Sequence, residues 1–113
     1  MTASIIENKK ECYFCRILAN VEGYSGELPS KGLHRHHIMY GMGRRALSER
    51  YGLWIWLCYH HHNDPELNRD GAAESVHFNK TLRRQTERIA QKAFETKGSR
   101  NDWIRIFGRN YLD

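Results

Sequence analysis

Two short stretches constrain this chain more than any other part of it: Cys12-Tyr13-Phe14-Cys15 and Cys58-Tyr59-His60-His61. Each places two soft donors at a spacing that lets a tight turn wrap a metal ion, with backbone amides aimed at the sulfurs. Three thiols and one imidazole make the four-ligand set of a closed tetrahedral site, and that set suits zinc better than magnesium or calcium. His61 completes the CxxH spacing, whereas His60 is one residue out of register. With no coordination position left open, the expected ion serves folding and ties the N-terminal region to the stretch around residue 58. The plainer alternative is three buried, unmetallated cysteines and an exposed histidine. A lone CxxC is also compatible with a redox pair, but the chain lacks the strand–helix alternation of a thioredoxin-like unit. Three cysteines, an odd number, argue against a disulfide scaffold.

A chain of 113 residues fits one domain, taken as 1–113 with a loose N-terminal arm over 1–10. A domain of this size buries a modest core, and a structural metal would help it. Lys and Arg exceed Asp and Glu by 18 to 13, a net charge of +5. A basic surface favours polyanions such as nucleic acid. No apolar run is long enough to span a membrane, and no amphipathic segment carries membrane anchors. The N-terminus lacks the long apolar core of a signal peptide. These features place the chain in a cytoplasm, where thiols stay reduced.

The order of elements implies an α+β fold. Leu33–Tyr40 reads as a strand, and the glycines of Gly41-Met42-Gly43 break it. Arg44–Tyr51 reads as a short helical turn with Ala46, Leu47 and Tyr51 inward, ended by Gly52. Leu53–Leu57, LWIWL, is a second strand. The stretch 19–32, with three glycines and Pro29, reads as a loop, as does 63–73. Phe78, Leu82, Ile89, Ala93 and Phe94 fall on one helical stripe, which predicts a long helix over about 76–97 with Ser75 as N-cap and Gly98 as terminator. A short final helix over 101–107 would lay Trp103, Ile106 and Phe107 on the core.

Six of the seven histidines lie in Leu33–Tyr40 and Trp56–Asn63. Clustered imidazoles serve a core poorly, but they serve as metal ligands and proton acceptors near neutral pH. Strand alternation puts His34 and His36 on one face and His37 on the other. Side by side, His36 and His37 can divide two tasks of phosphodiester hydrolysis, one imidazole on a metal and its neighbour taking a proton from water. His34 reads as a surface strand residue and His60 as solvent-facing.

The compound pattern Arg35-His36-His37-Ile38, then Leu57-Cys58-x-x-His61-His62-Asn63, with a paired CxxC, resembles the HNH (His-Me finger, ββα-metal) endonucleases. Within them it is most similar to the phage recombination-enhancement, RecA-dependent nucleases, through Cys12–Arg16, the His pair, the GMGxR turn Gly41–Arg45, the LCxxHH stretch and a later histidine before a helix. The resemblance implies a small zinc-stapled ββα-metal domain with a long C-terminal helix. It implies metal-dependent DNA cleavage in phage DNA recombination or processing, with His37 as general base and His36, His62 and His77 on a catalytic divalent metal. That metal could be Mg²⁺, Mn²⁺ or Zn²⁺, and three imidazoles lean towards transition ions. It also implies DNA as substrate, a recombinase filament as partner and the bacterial host cytoplasm as location. The family's middle motif often supplies an Asn or His that orients the base. This chain has neither between its two strands, which leaves the task to Ser48 or a backbone carbonyl.

Arg44 and Arg45 follow the first strand, while Lys80 or Thr81, Arg84 and Arg88 share a helical face with His77 by spacing. Together they are the candidate DNA contacts, aimed at phosphates rather than base edges. A different class of function also suits the sequence: a catalytically inactive zinc-binding module that binds DNA or a protein partner and keeps only the knuckle and the basic surface.

Overall fold

The structure is a computed structural model that describes residues 2–112; Met1 of the expected arm and Asp113 at the end of the expected domain lie outside the described residues. Its elements are α1 (Tyr13–Val21), β1 (His34–His37), α2 (Arg44–Tyr51), β2 (Trp54–Leu57), α3 (Tyr59–His62), α4 (Lys80–Glu95) and α5 (Arg100–Phe107). The fold is α+β, a two-stranded antiparallel sheet with helices around it. His36 pairs with Ile55 and His37 with Trp54. Because successive side chains alternate, His34 and His36 share a face with the fully buried Ile55 and Leu57, while Arg35 and His37 share the other with Trp54 and Trp56.

α2 crosses between the strands with its expected bounds, flanked by Gly43 and Gly52 in the left-handed region at φ 77° and 69°. A Cβ at Gly52 would sit 2.4 Å from the Ala3 carbonyl oxygen, so the close approach of the N-terminal segment admits only glycine. The inward residue of α2 is Ser48 rather than Ala46, which is exposed. The Ser48 hydroxyl donates to the Met39 carbonyl and accepts from the Met39 N–H, both at 2.8 Å, and so fastens α2 to the chain leaving β1.

Three expectations are corrected. The stretch after the CxxC is not a loop from residue 19; α1 runs from Tyr13 to Val21 and buries Phe14 and Ala19. The arm is not loose. Ile5 N–H donates to the Gly52 carbonyl at 2.9 Å, Ser4 Oγ donates to the Trp54 carbonyl at 2.7 Å, and the Glu7 carboxyl accepts the Trp56 N–H at 2.6 Å. The arm thereby covers the outer edge of β2, whose backbone groups would otherwise be unpaired.

The third correction concerns the long helix, which starts at Lys80 rather than near residue 76. Ser75 cannot cap it, because its hydroxyl donates to the Asp64 carbonyl at 2.6 Å, and Val76 N–H is committed to the His61 carbonyl at 2.9 Å. Asn79 caps instead, accepting from Thr81 and Leu82 N–H. Phe78 lies outside the helix and is exposed. The buried helix face is Thr86, Ala90 and Gln91, with Leu82 and Phe94 packed against the core.

α5 is capped by Ser99 and ended by Gly108, and it buries Trp103 and Phe107 with ring centroids 4.2 Å apart. The C-terminal tail returns over α4. Gln91, fully buried, accepts Tyr111 N–H at 2.7 Å and donates to Asn110 Oδ1 at 2.8 Å and Glu95 Oε2 at 2.7 Å. Gln91→Leu fills the same space but takes the acceptor away from the Tyr111 N–H; a loss of about 1–3 kcal/mol in urea unfolding is expected.

Burial pushes the Glu7 carboxyl up from 4.5 to about 7, with Glu11 nearby adding to the shift and the Trp56 N–H opposing it. The unfolded chain therefore releases this proton at lower pH than the folded chain does. The stability it confers is complete below about pH 4.5 and falls as the pH rises through 7. Glu7→Gln keeps an oxygen for Trp56 and is expected to flatten that fall in a series of unfolding curves from pH 4 to 8.

Candidate functional site

Two clusters of ligand atoms form around α3, each with its donor atoms within 4.8 Å of one another. In the first, Cys12 is the N-cap of α1, Cys15 lies one turn along it, Cys58 is the N-cap of α3 and His61 lies within α3. His61 Nδ1 is 3.5 Å from Cys12 Sγ, 3.5 Å from Cys15 Sγ and 3.3 Å from Cys58 Sγ, and the Cys15 and Cys58 sulfurs are 3.8 Å apart. Donors around a tetrahedral zinc, with Zn–S and Zn–N bonds of about 2.3 and 2.0 Å, are separated by roughly 3.5–3.8 Å. The Cys3His cluster therefore has the donor set and spacing of a structural zinc site. All three cysteines are free of disulfides.

Burial sets the protonation of this cluster. Burial pushes the Cys12 and Cys15 thiols up, and neighbouring sulfurs raise Cys15 further. Burial, with His60 beside it, lowers His61 and keeps its imidazole neutral. A bound cation reverses the shifts at Cys12 and Cys15 by displacing their protons and stabilising the thiolates.

The second cluster joins His36 of β1, His62 of α3 and His77, which stands before α4 rather than on it. His77 N–H donates to the His62 carbonyl at 3.2 Å, one residue on from the Val76–His61 bond, and this pairing carries the His77 ring to His62. His62 Nε2 and His77 Nε2 are 3.0 Å apart, and the His36 ring centroid is 5.3 Å from that of His62 and 5.4 Å from that of His77. Burial, then His62 and His77, pushes His36 down to about 3; burial, then His77 and His34, pushes His62 down to about 4. His77 is lowered by burial and by Arg83. All three imidazoles are thus neutral at pH 7, the state that binds a cation. His36 is 2% exposed, and its Nε2 has no hydrogen-bond partner among the described residues. A buried polar atom left bare costs free energy, and a cation at this position would satisfy it.

A cleft of about 290 Å³ opens over this cluster, lined by His36, His62, His77, His37, Tyr40, Arg35 and Arg45. A broader trough shares Arg35, His37 and Arg45 with it and continues along α2 to Glu49. His37 thus stands between the two. Its Nε2 lies 2.7 Å from Glu49 Oε2, and its Nδ1 accepts from Arg45 Nε at 3.4 Å. Ser48, one of the two groups expected to orient His37, is instead spent on Met39.

The basic residues separate into two sets. Arg45 and Lys80 are exposed. Arg44 donates to the Phe107 carbonyl at 3.0 Å, Arg88 donates to the Tyr111 carbonyl at 3.0 Å, and Arg84 lies 5.2 Å from the Tyr111 ring centre. These three serve the C-terminal tail. The α4 cation whose charge bears on His36 and His77 is Arg83, 5.4 Å from the Tyr40 ring, with α4 starting later than its stripe suggested. Spacing from His77 pointed one residue too far for that reason. His34, expected at the surface, is half-buried with Nδ1 2.8 Å from His62 Nδ1. His60 is exposed and paired with Asp64 and Glu74. No helix among the described residues is long and apolar enough to cross a membrane.

No protein-family model, no curated protein and no solved structure matches the chain.

Cys15→Ser should abolish stoichiometric zinc in elemental analysis and cost several kcal/mol, a fall of about 10 °C or more in the unfolding midpoint. Zinc uptake should weaken as the pH is lowered, since the buried thiols must release protons to bind it.

Proposed function

We propose that this chain is a metal-dependent DNA endonuclease of the HNH type, cleaving phosphodiester bonds at the cleft where His37 stands beside His36, His62 and His77. The observation that carries this reading is the orphaned Nε2 of buried His36, one of three neutral imidazoles at the floor of a cleft that also holds His37 and Arg45. The residue pattern of the HNH family supports the same assignment. His36, His62 and His77 would hold a divalent cation such as Mg²⁺, Mn²⁺ or Zn²⁺, which supplies Lewis-acid chemistry at a phosphate oxygen when bound. Three protein donors leave room for exogenous ligands, unlike the closed Cys3His site.

His37 takes a proton from the attacking water. It is separate from the three imidazoles that would hold the cation, and its Nδ1 is freed for the proton when Arg45, which donates to it at 3.4 Å, turns to the phosphate. Arg45, beside it, holds a phosphate oxygen, with Lys80 and Arg83 continuing the basic rim; Arg44, Arg84 and Arg88 act on the fold instead. Contacts of this kind read the backbone rather than the bases, so cleavage has weak sequence preference and falls with salt.

The contrasting reading is an inactive zinc module that binds DNA or a protein, and metal stoichiometry separates the two. The nuclease takes up one zinc plus a second ion that His36→Ala abolishes; the module takes up zinc alone. Nicking of supercoiled plasmid with Mg²⁺, Mn²⁺ or Ni²⁺ should fall by roughly 10²–10⁴ in His37→Ala, the usual contribution of a general base, and unchanged nicking sinks the assignment.

A further inference from the structure

His37 sits between two groups of opposite hydrogen-bonding character. The Glu49 carboxylate, 2.7 Å from Nε2, can only accept. The Arg45 guanidinium, 3.4 Å from Nδ1, can only donate. Both neighbours therefore demand one arrangement of the ring, hydrogen on Nε2 and a bare Nδ1. The carboxylate is itself anchored. Its other oxygen accepts from Arg35 Nη1 at 2.8 Å, and the Arg35 guanidinium lies 3.9 Å from the Trp54 ring centre and 5.6 Å from that of Trp56. Trp54 is buried on the sheet face that also carries His37. The hydrogen bond from His37, with Arg35 behind it, holds the Glu49 carboxyl below its ordinary range.

We infer that Glu49 is the positioning residue for His37: anchored by Arg35, its carboxylate fixes the imidazole in the Nε2–H form and leaves Nδ1 as the atom that takes the proton. The catalytic half of this statement rests on the nuclease reading; the tautomer half does not. Proton balance is simple. As the water oxygen bonds to phosphorus its proton passes to Nδ1 and the ring becomes an imidazolium; the P–O bond to the leaving oxygen breaks, that oxygen takes a proton from bulk water, and Glu49 stabilises the positive charge on the ring without taking the proton itself. The arrangement also explains how the chain manages with no Asn or His between its strands. A glutamate on α2, twelve residues beyond His37, supplies what the middle motif lacks.

Glu49→Gln is the decisive variant because it is isosteric. Arg35 can only donate, so it claims the single amide oxygen and turns the amide NH₂ towards His37. That NH₂ needs an acceptor, so Nε2 must be bare; exposed Arg45, at 3.4 Å, is the weaker constraint and turns away, and the ring takes the Nδ1–H form. In a serine-protease triad the same carboxylate-to-amide change puts the imidazole in the wrong tautomer and lowers kcat by about 10⁴.

The test uses zinc-loaded full chain with ¹⁵N-labelled histidine, and long-range ¹H–¹⁵N correlation reads the His37 tautomer without reference to activity. The wild-type chain should show Nε2–H, Glu49→Gln should show Nδ1–H, and Glu49→Ala should show a mixture. In the nicking assay with Mn²⁺, Glu49→Gln should lower kcat at least about 100-fold with KM little changed. A wild-type Nδ1–H form, or the same tautomer in all three chains, overturns the inference. A wild-type chain that cuts no DNA but shows the switch overturns the nuclease reading and leaves the Glu49–His37 pairing standing.

Discussion

Four donor atoms bring residues 12 and 15 together with residues 58 and 61, and the placement of the neighbouring His62 follows from that knot. α3 is four residues long and has no stability of its own as a helix. It is held at one end by the cysteine–histidine cluster and along its backbone by Val76 and His77. Successive residues on a helix point about 100° apart. His61 therefore turns to the sulfurs while His62 turns to His36 and His77. The two clusters share one backbone, so whatever orders the first also places a donor of the second.

The second cluster is costly for the fold to maintain. Three imidazoles are packed close together, one of them fully sequestered with a bare nitrogen. A protein core gains more from a well-packed leucine than from a desolvated histidine lacking a partner. The pairing of residues 76–77 with 61–62 displaces the start of α4 by several residues and delivers His77 to this place. Local backbone geometry is thus spent on bringing polar rings together, a pattern expected where a site rather than a core is being built.

Opposite faces of one strand divide the chemistry. The face of His34 and His36 looks to the imidazoles of His62 and His77, and the face of Arg35 and His37 looks to α2 and the tryptophans. His36 and His37 can therefore be adjacent in sequence and still have unlike surroundings, one desolvated among rings and the other between a carboxylate and a guanidinium. The crossing helix α2 makes this work, since Ser48 fixes its inner side to Met39 and Glu49, next to it, reaches the strand.

Short-range spacing in the sequence already determined which residues gather at the Cys3His cluster, because CxxC and CxxH are distances along one or two turns of chain. It likewise determined that a strand lies on either side of α2, the bounds of α2 and the apolar side of α5, although β1 keeps only His34–His37 of the expected Leu33–Tyr40. The glycines and the strong alternation of LWIWL act locally, before any packing. Only the tertiary structure decided what the long polar side chains do. Arg44, Arg84 and Arg88 look like free cations in sequence, yet each meets the C-terminal tail. Gln91 and Thr86 look like surface residues, yet both are buried, Gln91 because that tail folds back over α4 and hydrogen-bonds to it. Glu49 gave no signal beyond being an acidic residue on a short helix. Its meeting with His37 depends on how α2 packs across the sheet, and the reach of a carboxylate between elements is set by that packing rather than by any period in the chain.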